Sequence, residues 1–399
     1  MSILQGKRIL LGITGSIAAF KAADLASQLA QMGALVDVIL TPAAEKFITP
    51  LTLQSVTGRQ TYTEADLWGG EAHVLHVGLG HSAHLLVIAP CTANTIAKLA
   101  YGLADNLLTI TALAARCPLL VAPAMDDGML DHPATQENLA KLAQRGATIA
   151  GPADGHLASG LSGRGRMLEP TEIIGHIRLV LGKQGKLAGR KIVISAGGTQ
   201  EPLDPVRVLT NRSSGKQGYA LAQAAIDAGA ELVLVSAPSA LTPPIGARFV
   251  PVQTAEEMRD AVLQASAGAD ALIMAAAVAD FRPKKAASDK IKSRDGVPHL
   301  ELEATDDVLK AVAKGKRPRV VVGFAAESRD LAQNATEKLK SKRLDLIVAN
   351  DISDQDAGFG TDTNRVTIID AAGKAEALPL ASKAEVAEII IERLAALLE

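Results

Sequence analysis

The chain has 399 residues and a formal net charge of −2; 48% of its residues are hydrophobic and only 3% aromatic. That length provides for two cores, the near-neutral balance excludes a polyanion-binding surface, and the scarce aromatics exclude a base-stacking platform for nucleic acid. Cys91 and Cys117 are the only cysteines, which excludes a disulfide framework and a four-cysteine metal site, and the apolar runs stop well short of a membrane span.

Lys7–Gly12 already reads as core with no signal peptide before it, so a cytoplasmic location is expected. In the first half, strand-length apolar runs fall at Arg8–Ile13, Leu35–Leu40, Leu85–Ala89, Leu119–Ala122 and Thr148–Ala150. Helical spacing falls between them, at Ser16–Met32, Ala43–Val56, Thr92–Tyr101, Pro133–Arg145 and Thr171–Leu181. A short polar, glycine-rich stretch, Gly182–Gly189, marks a junction. The rhythm then resumes with strands at Lys191–Ser195, Glu231–Ser236, Ala271–Ala275, Val320–Phe324 and Leu346–Ala349, and closes on an amphipathic helix, Lys383–Leu398. Strands alternating with helices predict an α/β chain of two Rossmann-like, doubly wound parallel sheets, residues 1–185 and 186–399. Apolar periodicity lapses at Arg282–Pro298, where a lid is expected.

The strongest local signal is Gly197–Gly218, GGTQEPLDPVRVLTNRSSGKQG, between a strand and a predicted helix at Gly215–Ala230. Backbone N–H groups at a helix start, permissive glycines, and Arg207, Arg212 and Lys216 suit a nucleotide triphosphate or a phosphorylated substrate. The first half has a weaker turn of this kind, Gly12–Lys21, which lacks the GxGxxG spacing of dinucleotide folds but suits a single phosphate above Ser16. Pro90–Thr95, Gly102–Leu107 and Pro123–Asp126 place hydroxyls and amides after strands, and Gly155–Met167 is a glycine-rich loop able to close over a pocket.

In that order, the GSIAAFK turn, the PCTANT loop, the ADN segment, the PAM stretch and the GRGRM flap resemble the phosphopantothenoylcysteine decarboxylase family of flavoproteins. The resemblance covers roughly the first 180 residues. It implies FMN, bound by Gly15, Ser16, Thr41, Thr92, Asn94, Asp105 and Asn106. It also implies oxidation of the substrate's cysteine unit to a thioaldehyde that loses CO2, after which the hydride is returned. His76, in the context His76-Val77-Gly78-Leu79, matches the family's histidine, a residue suited to proton transfer near neutral pH; His73, His81 and His84 are expected at the surface or behind it. Asp126 stands where the family usually has Asn, and Ser159 where it usually has Cys, a much stronger acid. Both positions are implied to be catalytic, and Met129 is implied to touch substrate. Cys91 offers a substitute proton donor, or a buried core residue. A ligase whose flavin half is structural remains the alternative that Asp126 and Ser159 raise.

The second half resembles the phosphopantothenate–cysteine ligase family, commonly fused behind that decarboxylase. The match runs from Gly197–Gly218 through Ala275–Pro283, Lys290–Lys292, Gly323–Glu327 and Ala349–Ile352. It implies coenzyme A biosynthesis from CTP, 4′-phosphopantothenate and L-cysteine, through an acyl-cytidylate. By motif, CTP is expected at Asp280, Lys290, Thr305, Asp306, Asp307, Val308, Phe324, Lys338 and Lys342. Asn211 is expected to hold the acyl-cytidylate carbonyl, and Arg207, Ser214 and Lys216 to meet the substrate phosphate. By spacing alone, Lys338 and Lys342 read as a solvated helix face. Mg2+ is expected on the triphosphate with unassigned protein ligands. The resemblance further implies dimers of ligase halves and trimers of flavin halves, which together build a dodecamer.

Overall fold

The run RILLGI forms β1 (Arg8–Ile13), buried from its second residue onward. The computed structural model describes residues 2–68, 74–292, 299–327, 331–351 and 360–399. His73, part of the expected lid (residues 293–298) and Ile352 lie outside them. The chain divides into two units, Met1–Leu181 and Gly182–Glu399.

In the first unit, β1 is followed by α1 (Ala19–Gln31), β2 (Leu35–Leu40), α2 (Pro50–Thr57), β3 (Thr61–Tyr62) and α3 (Leu75–Ser82). Next come β4 (Leu85–Cys91), α4 (Ala93–Tyr101), α5 (Leu107–Ala114), β5 (Leu119–Pro123), α6 (Asp127–Asp131) and α7 (Pro133–Gln144). The unit ends with β6 (Thr148–Ile149), β7 (Ala153–His156), β8 (Ser162–Arg166) and α8 (Pro170–Gly182). The six-stranded sheet has the order β3-β2-β1-β4-β5-β6, with every pairing parallel. Its order reverses between β1 and β4, and such a switch point opens a crevice beyond the strand ends. Apolar residues bury both sheet faces: Ile9 and Leu11 join one core cluster, and Leu10 and Ile88 the other.

Local chemistry explains where the elements depart from expectation. The region expected as one helix at Ala43–Val56 is split, because Thr49 caps α2 and Pro50 sits at its first position. The unpredicted α5 starts on a capping box, Asn106 with Thr109. The glycine-rich loop over Gly155–Met167 includes most of an antiparallel hairpin, β7–β8.

The second unit has β9 (Lys191–Ala196), β10 (Gln200–Asp204), β11 (Arg207–Thr210), α9 (Lys216–Asp227), β12 (Glu231–Ser236) and β13 (Arg248–Pro251). It continues with α10 (Ala255–Ser266), β14 (Ala271–Met274), β15 (Phe281–Pro283), β16 (Leu302–Ala304), α11 (Val308–Lys314) and β17 (Val320–Glu327). Last come α12 (Leu331–Ser341), β18 (Leu346–Asp351), β19 (Thr363–Asn364), β20 (Val366–Asp370), β21 (Ala375–Ala377), β22 (Ala381–Ser382) and α13 (Lys383–Leu398). The main sheet runs β13-β12-β9-β14-β17-β18-β20-β21. Its first six strands pair in parallel and switch between β9 and β14, whereas β20 and β21 extend the edge antiparallel. The Gly197–Gly218 segment is not all loop: it contains the small hairpin β10–β11.

Candidate active sites

At the switch point of the first unit, Thr14 laces two loops together. Its hydroxyl donates to the Pro90 carbonyl at 2.7 Å and accepts from the Thr92 N–H at 3.0 Å. The Thr41 hydroxyl donates to the Ile13 carbonyl at 3.2 Å, which brings the end of β2 to the same place. Gly15 is required there, because a Cβ would stand 2.5 Å from Ala43 Cβ. Ser16 accepts from the Ala18 N–H and Thr92 caps α4 by accepting from the Thr95 N–H. Asp105 takes the Lys98 ammonium at 2.7 Å, which draws its carboxyl below the usual range, and Asn106 is occupied in capping α5. Asn94 is exposed on the first turn of α4.

A cleft of about 550 Å3 opens beside this cradle, lined at one end by Ser16 and the start of α1, and elsewhere by residues such as Phe20, Met125, Leu157 and Met167. Both Asp126 and Ser159 line it, and the Ser159 hydroxyl donates to Asp126 Oδ2 at 2.8 Å. Asp126 also caps α6, its Oδ1 accepting from the Gly128 N–H at 3.1 Å. The hairpin is held at its far end by Lys21, which donates to the Met167 carbonyl and pairs with Glu169 at 2.8 Å. His76, on α3, does not line this cleft; nor do Gly15, Thr41, Thr92, Asn94, Asp105, Asn106 and Met129. Cys91 is wholly buried among core side chains, and burial pushes its thiol pKa up, so it is a core residue and no acid. A hydroxyl and helix start at one end, with apolar walls beyond, fit a flavin mononucleotide's phosphate and ring.

In the second unit one cleft of about 640 Å3 gathers nearly all the predicted ligase residues. Asn211, Ser214 and Lys216 come from the loop before α9, Asp280 from the segment after β14, Thr305–Val308 from the start of α11, Phe324 from β17, and Lys338 and Lys342 from the end of α12. Asn211 donates its amide to the Ala277 and Val278 carbonyls at 3.3 and 3.2 Å, so its NH2 faces the loop, not an incoming carbonyl. Lys342 pairs with Asp307 at 3.2 Å, while Asp307 caps α11; Arg259 holds Asp306. The helix-face reading of Lys338 and Lys342 therefore gives way to a place on the cleft wall.

Two predicted residues stand apart. Arg207 does not line the cleft; it pairs with Asp204 at 2.6 Å and donates to the Ile291 carbonyl at 3.1 Å. Lys290 is exposed and also lies outside the lining, next to that Ile291 anchor. Sequence reasoning gave no role to Gln217 and Asn350, although both lie in matched motifs, and it missed Asn364 and Lys383; all four line the cleft. Lys216 pairs with Asp362 at 2.7 Å, and Lys383 donates to the Thr361 carbonyl at 2.6 Å. Burial, with the neighbouring Lys216 charge, pushes the Lys383 ammonium pKa below its ordinary value against the pull of Asp362. No group of three or more His, Cys, Asp or Glu side chains among the described residues could hold a metal, and no described helix is long and apolar enough to cross a membrane.

Residues 2–182 match the family model described as Flavoprotein, and residues 187–398 match the DNA/pantothenate metabolism flavoprotein C-terminal domain. The chain is 44% identical over 398 residues to the coenzyme A biosynthesis bifunctional protein CoaBC of Bacillus subtilis (strain 168), covering 99% of this chain and 98% of that one. The solved C-terminal domain of a coenzyme A biosynthesis bifunctional protein CoaBC is 41% identical, covers 54% of this chain and 98% of its own, and gives a TM-score of 0.46. A mutant PPC decarboxylase complexed with pantothenoylaminoethenethiol is 38% identical, covers 44% of this chain and 98% of its own, and gives a TM-score of 0.41.

Proposed function

The chain belongs to the bifunctional coenzyme A biosynthesis family, a flavoprotein domain followed by a pantothenate-metabolism domain, and on that premise we propose the chemistry of its two clefts. It is a bifunctional enzyme: the second half ligates cysteine to phosphopantothenate, and the first half decarboxylates the product. We place the domain limits at residues 1–185 and 186–399, just past the division between the two units at Leu181.

In the ligase half, CTP activates the acid. The pantothenate carboxylate oxygen bonds to the α-phosphorus and pyrophosphate leaves; the cysteine amine then attacks the acyl carbon and CMP leaves. Such transfers depend mainly on positioning and on charge neutralisation. Lys338 and Lys342 supply cationic charge on the cleft wall, and the exposed Asp280 is the carboxylate for a Mg2+ carried by the triphosphate. Lys290 joins them when its segment closes, and Ser214 with the N-terminus of α9 meets the substrate phosphate. Asn211 acts in the capture of the acyl-cytidylate once substrate displaces its contacts to Ala277 and Val278.

The flavin is FMN, which supplies oxidation of the substrate's thiol-bearing carbon and the later return of a hydride. Ser16 and the start of α1 hold its phosphate, and Gly15, Thr41 and Thr92 shape the cradle. The Asp126–Ser159 pair faces the reacting cysteine unit and controls the proton beside it. His76 does not line the same cleft, which supports a trimer in which a second copy brings its own His76 there. Dimers of ligase halves then complete a dodecamer in the cytoplasm.

The observation that carries this reading is the single cleft joining Asn211, Asp280, Phe324 and Lys342 from distant parts of the chain. Purified protein given CTP and 4′-phosphopantothenate should release pyrophosphate, and should release CO2 only once cysteine is added. ATP serving as well as CTP would overturn the nucleotide assignment; pyrophosphate release without CO2 would overturn the activity assigned to the first cleft.

A further inference from the structure

The ligase cleft carries polar atoms that the reading above leaves unused. Asn364 is only 3% exposed, yet its Oδ1 has no hydrogen-bond partner among the described residues, and neither has the buried Oδ1 of Asn350. Both side chains line the cleft, and Asn350 pairs in register with Val366, two positions beyond Asn364. The orientation of the Asn364 amide is fixed by its neighbours. The Lys383 backbone carbonyl can only accept, and it takes the Gln217 Nε2 at 3.2 Å. Gln217 must then present Oε1, which accepts from Asn364 Nδ2 at 3.2 Å. The remaining Asn364 atom is an oxygen, an acceptor with nothing to accept.

A buried acceptor without a donor is costly, so a ligand that supplies N–H groups is favoured there. Phosphate and carboxylate oxygens offer no donor to an amide oxygen. A cationic ammonium is disfavoured by the Lys216 and Lys383 ammonium groups, which line the same cleft, although Asp362 offsets part of the Lys216 charge. What remains is a neutral N–H donor, and the ligase reaction brings two into the cleft: the amino group of the nucleobase and the primary amine that the reaction consumes, of which only the second must be held with its lone pair open.

Resting on the ligase reading, we propose that Asn350 and Asn364 form the subsite for the nucleophilic amine of the incoming amino acid, their side-chain oxygens accepting its two N–H groups. With both N–H groups held, the nitrogen lone pair is left for attack. That pair forms the new C–N bond, the acyl C–O bond breaks with its electrons leaving on CMP, and one amine proton passes to water.

Full-length Asn350→Ala and Asn364→Ala should each raise the KM for cysteine at least tenfold while leaving the KM for CTP in place. Both should still give a pyrophosphate burst from CTP and 4′-phosphopantothenate, and should accumulate the acyl-cytidylate, which concentrated hydroxylamine traps as the hydroxamate. The burst doubles as the check that each variant is folded, and the two asparagines lie on different strands, so either variant alone suffices. A rise in the KM for CTP with that for cysteine unchanged assigns the amides to the nucleobase and overturns the proposal. Unchanged values for both also overturn it. A wild-type chain that gives no burst overturns the ligase reading itself.

Discussion

The Ser159 hydroxyl donates to Asp126 Oδ2 at 2.8 Å and so ties the β7–β8 hairpin to the start of α6. The two positions that differ from the decarboxylase pattern are therefore in contact. A hydroxyl bonded to a carboxylate is oriented, and the carboxylate beside it becomes the group through which a proton can be exchanged with the substrate.

Asp126→Ala should lower CO2 release at least tenfold while ligation, read as pyrophosphate release, stays unchanged. It also removes the α6 cap, a loss of about 1 kcal/mol, so Asp126→Asn, which keeps a capping oxygen, is the companion variant. Ser159→Cys should raise CO2 release or leave it unchanged, since a thiol is the stronger acid. A large loss on that change would show that the hydroxyl itself is needed.

Gly165 has φ +144, and a Cβ there would stand 2.2 Å from the Met125 carbonyl oxygen. The Met125 N–H in turn donates to the Gly165 carbonyl at 3.0 Å, so hairpin and PAM segment meet backbone to backbone. Gly165→Ala should push the hairpin off the cleft. The expected result is faster proteolysis between Gly155 and Met167 and at least a tenfold drop in CO2 release, with the ligase rate preserved.

Lys342 and Asp307 pair at 3.2 Å on the wall of the ligase cleft. Lys342→Met should raise the KM for CTP about tenfold with little change in that for cysteine. Asp307→Asn keeps the α11 cap and should have the smaller effect. Steady-state kinetics with each substrate varied in turn separates the two; equal effects on both KM values would count against a nucleotide role.

Asp204 should make the second unit acid-sensitive. Burial alone would raise its carboxyl pKa, but N–H donation from Val206 and Ile291 and the Arg207 guanidinium outweigh that and leave it below the ordinary value. A folded value below the unfolded one, about 3.9, means the stabilisation is present above pH 4 and is lost as pH falls through the folded value. Melting temperature followed below pH 4 should fall less steeply in Asp204→Asn than in the wild type. Because Ile291 leaves with Asp204, the variant should also expose the segment next to Lys290 to protease at neutral pH.

The parallel strands were legible because they are short apolar runs buried on both faces, as in Arg8–Ile13 and Glu231–Ser236. The hairpin β10–β11 was not, because QEPLD and RVLT carry no core alternation and all of β11 is exposed. The antiparallel strand β20, next to the edge, was passed over although its residues are largely buried, since nothing in VTIID marks pairing direction. Of the sites, the motif residues of the ligase cleft were legible as a set, Asn350 among them but without a role; Asn364 and Lys383 were not. Single polar residues at strand and helix ends carry no periodic signal, and only the fold shows that Asn364 and Lys383 meet Gln217.

The loops at the ligase switch point are laced backbone to backbone. Gly197 and Ala277 share one bond, Thr199 and Ala277 another, and the Ala279 N–H donates to the Thr199 hydroxyl at 2.8 Å. Loop amides ordinarily exchange with solvent deuterium within seconds, but those of Ala277 and Ala279 should exchange as slowly as the strand interior of β9 and β14. The cleft thus has one wall that behaves as an extension of the sheet, and the motion that admits and releases substrate falls to the wall facing it.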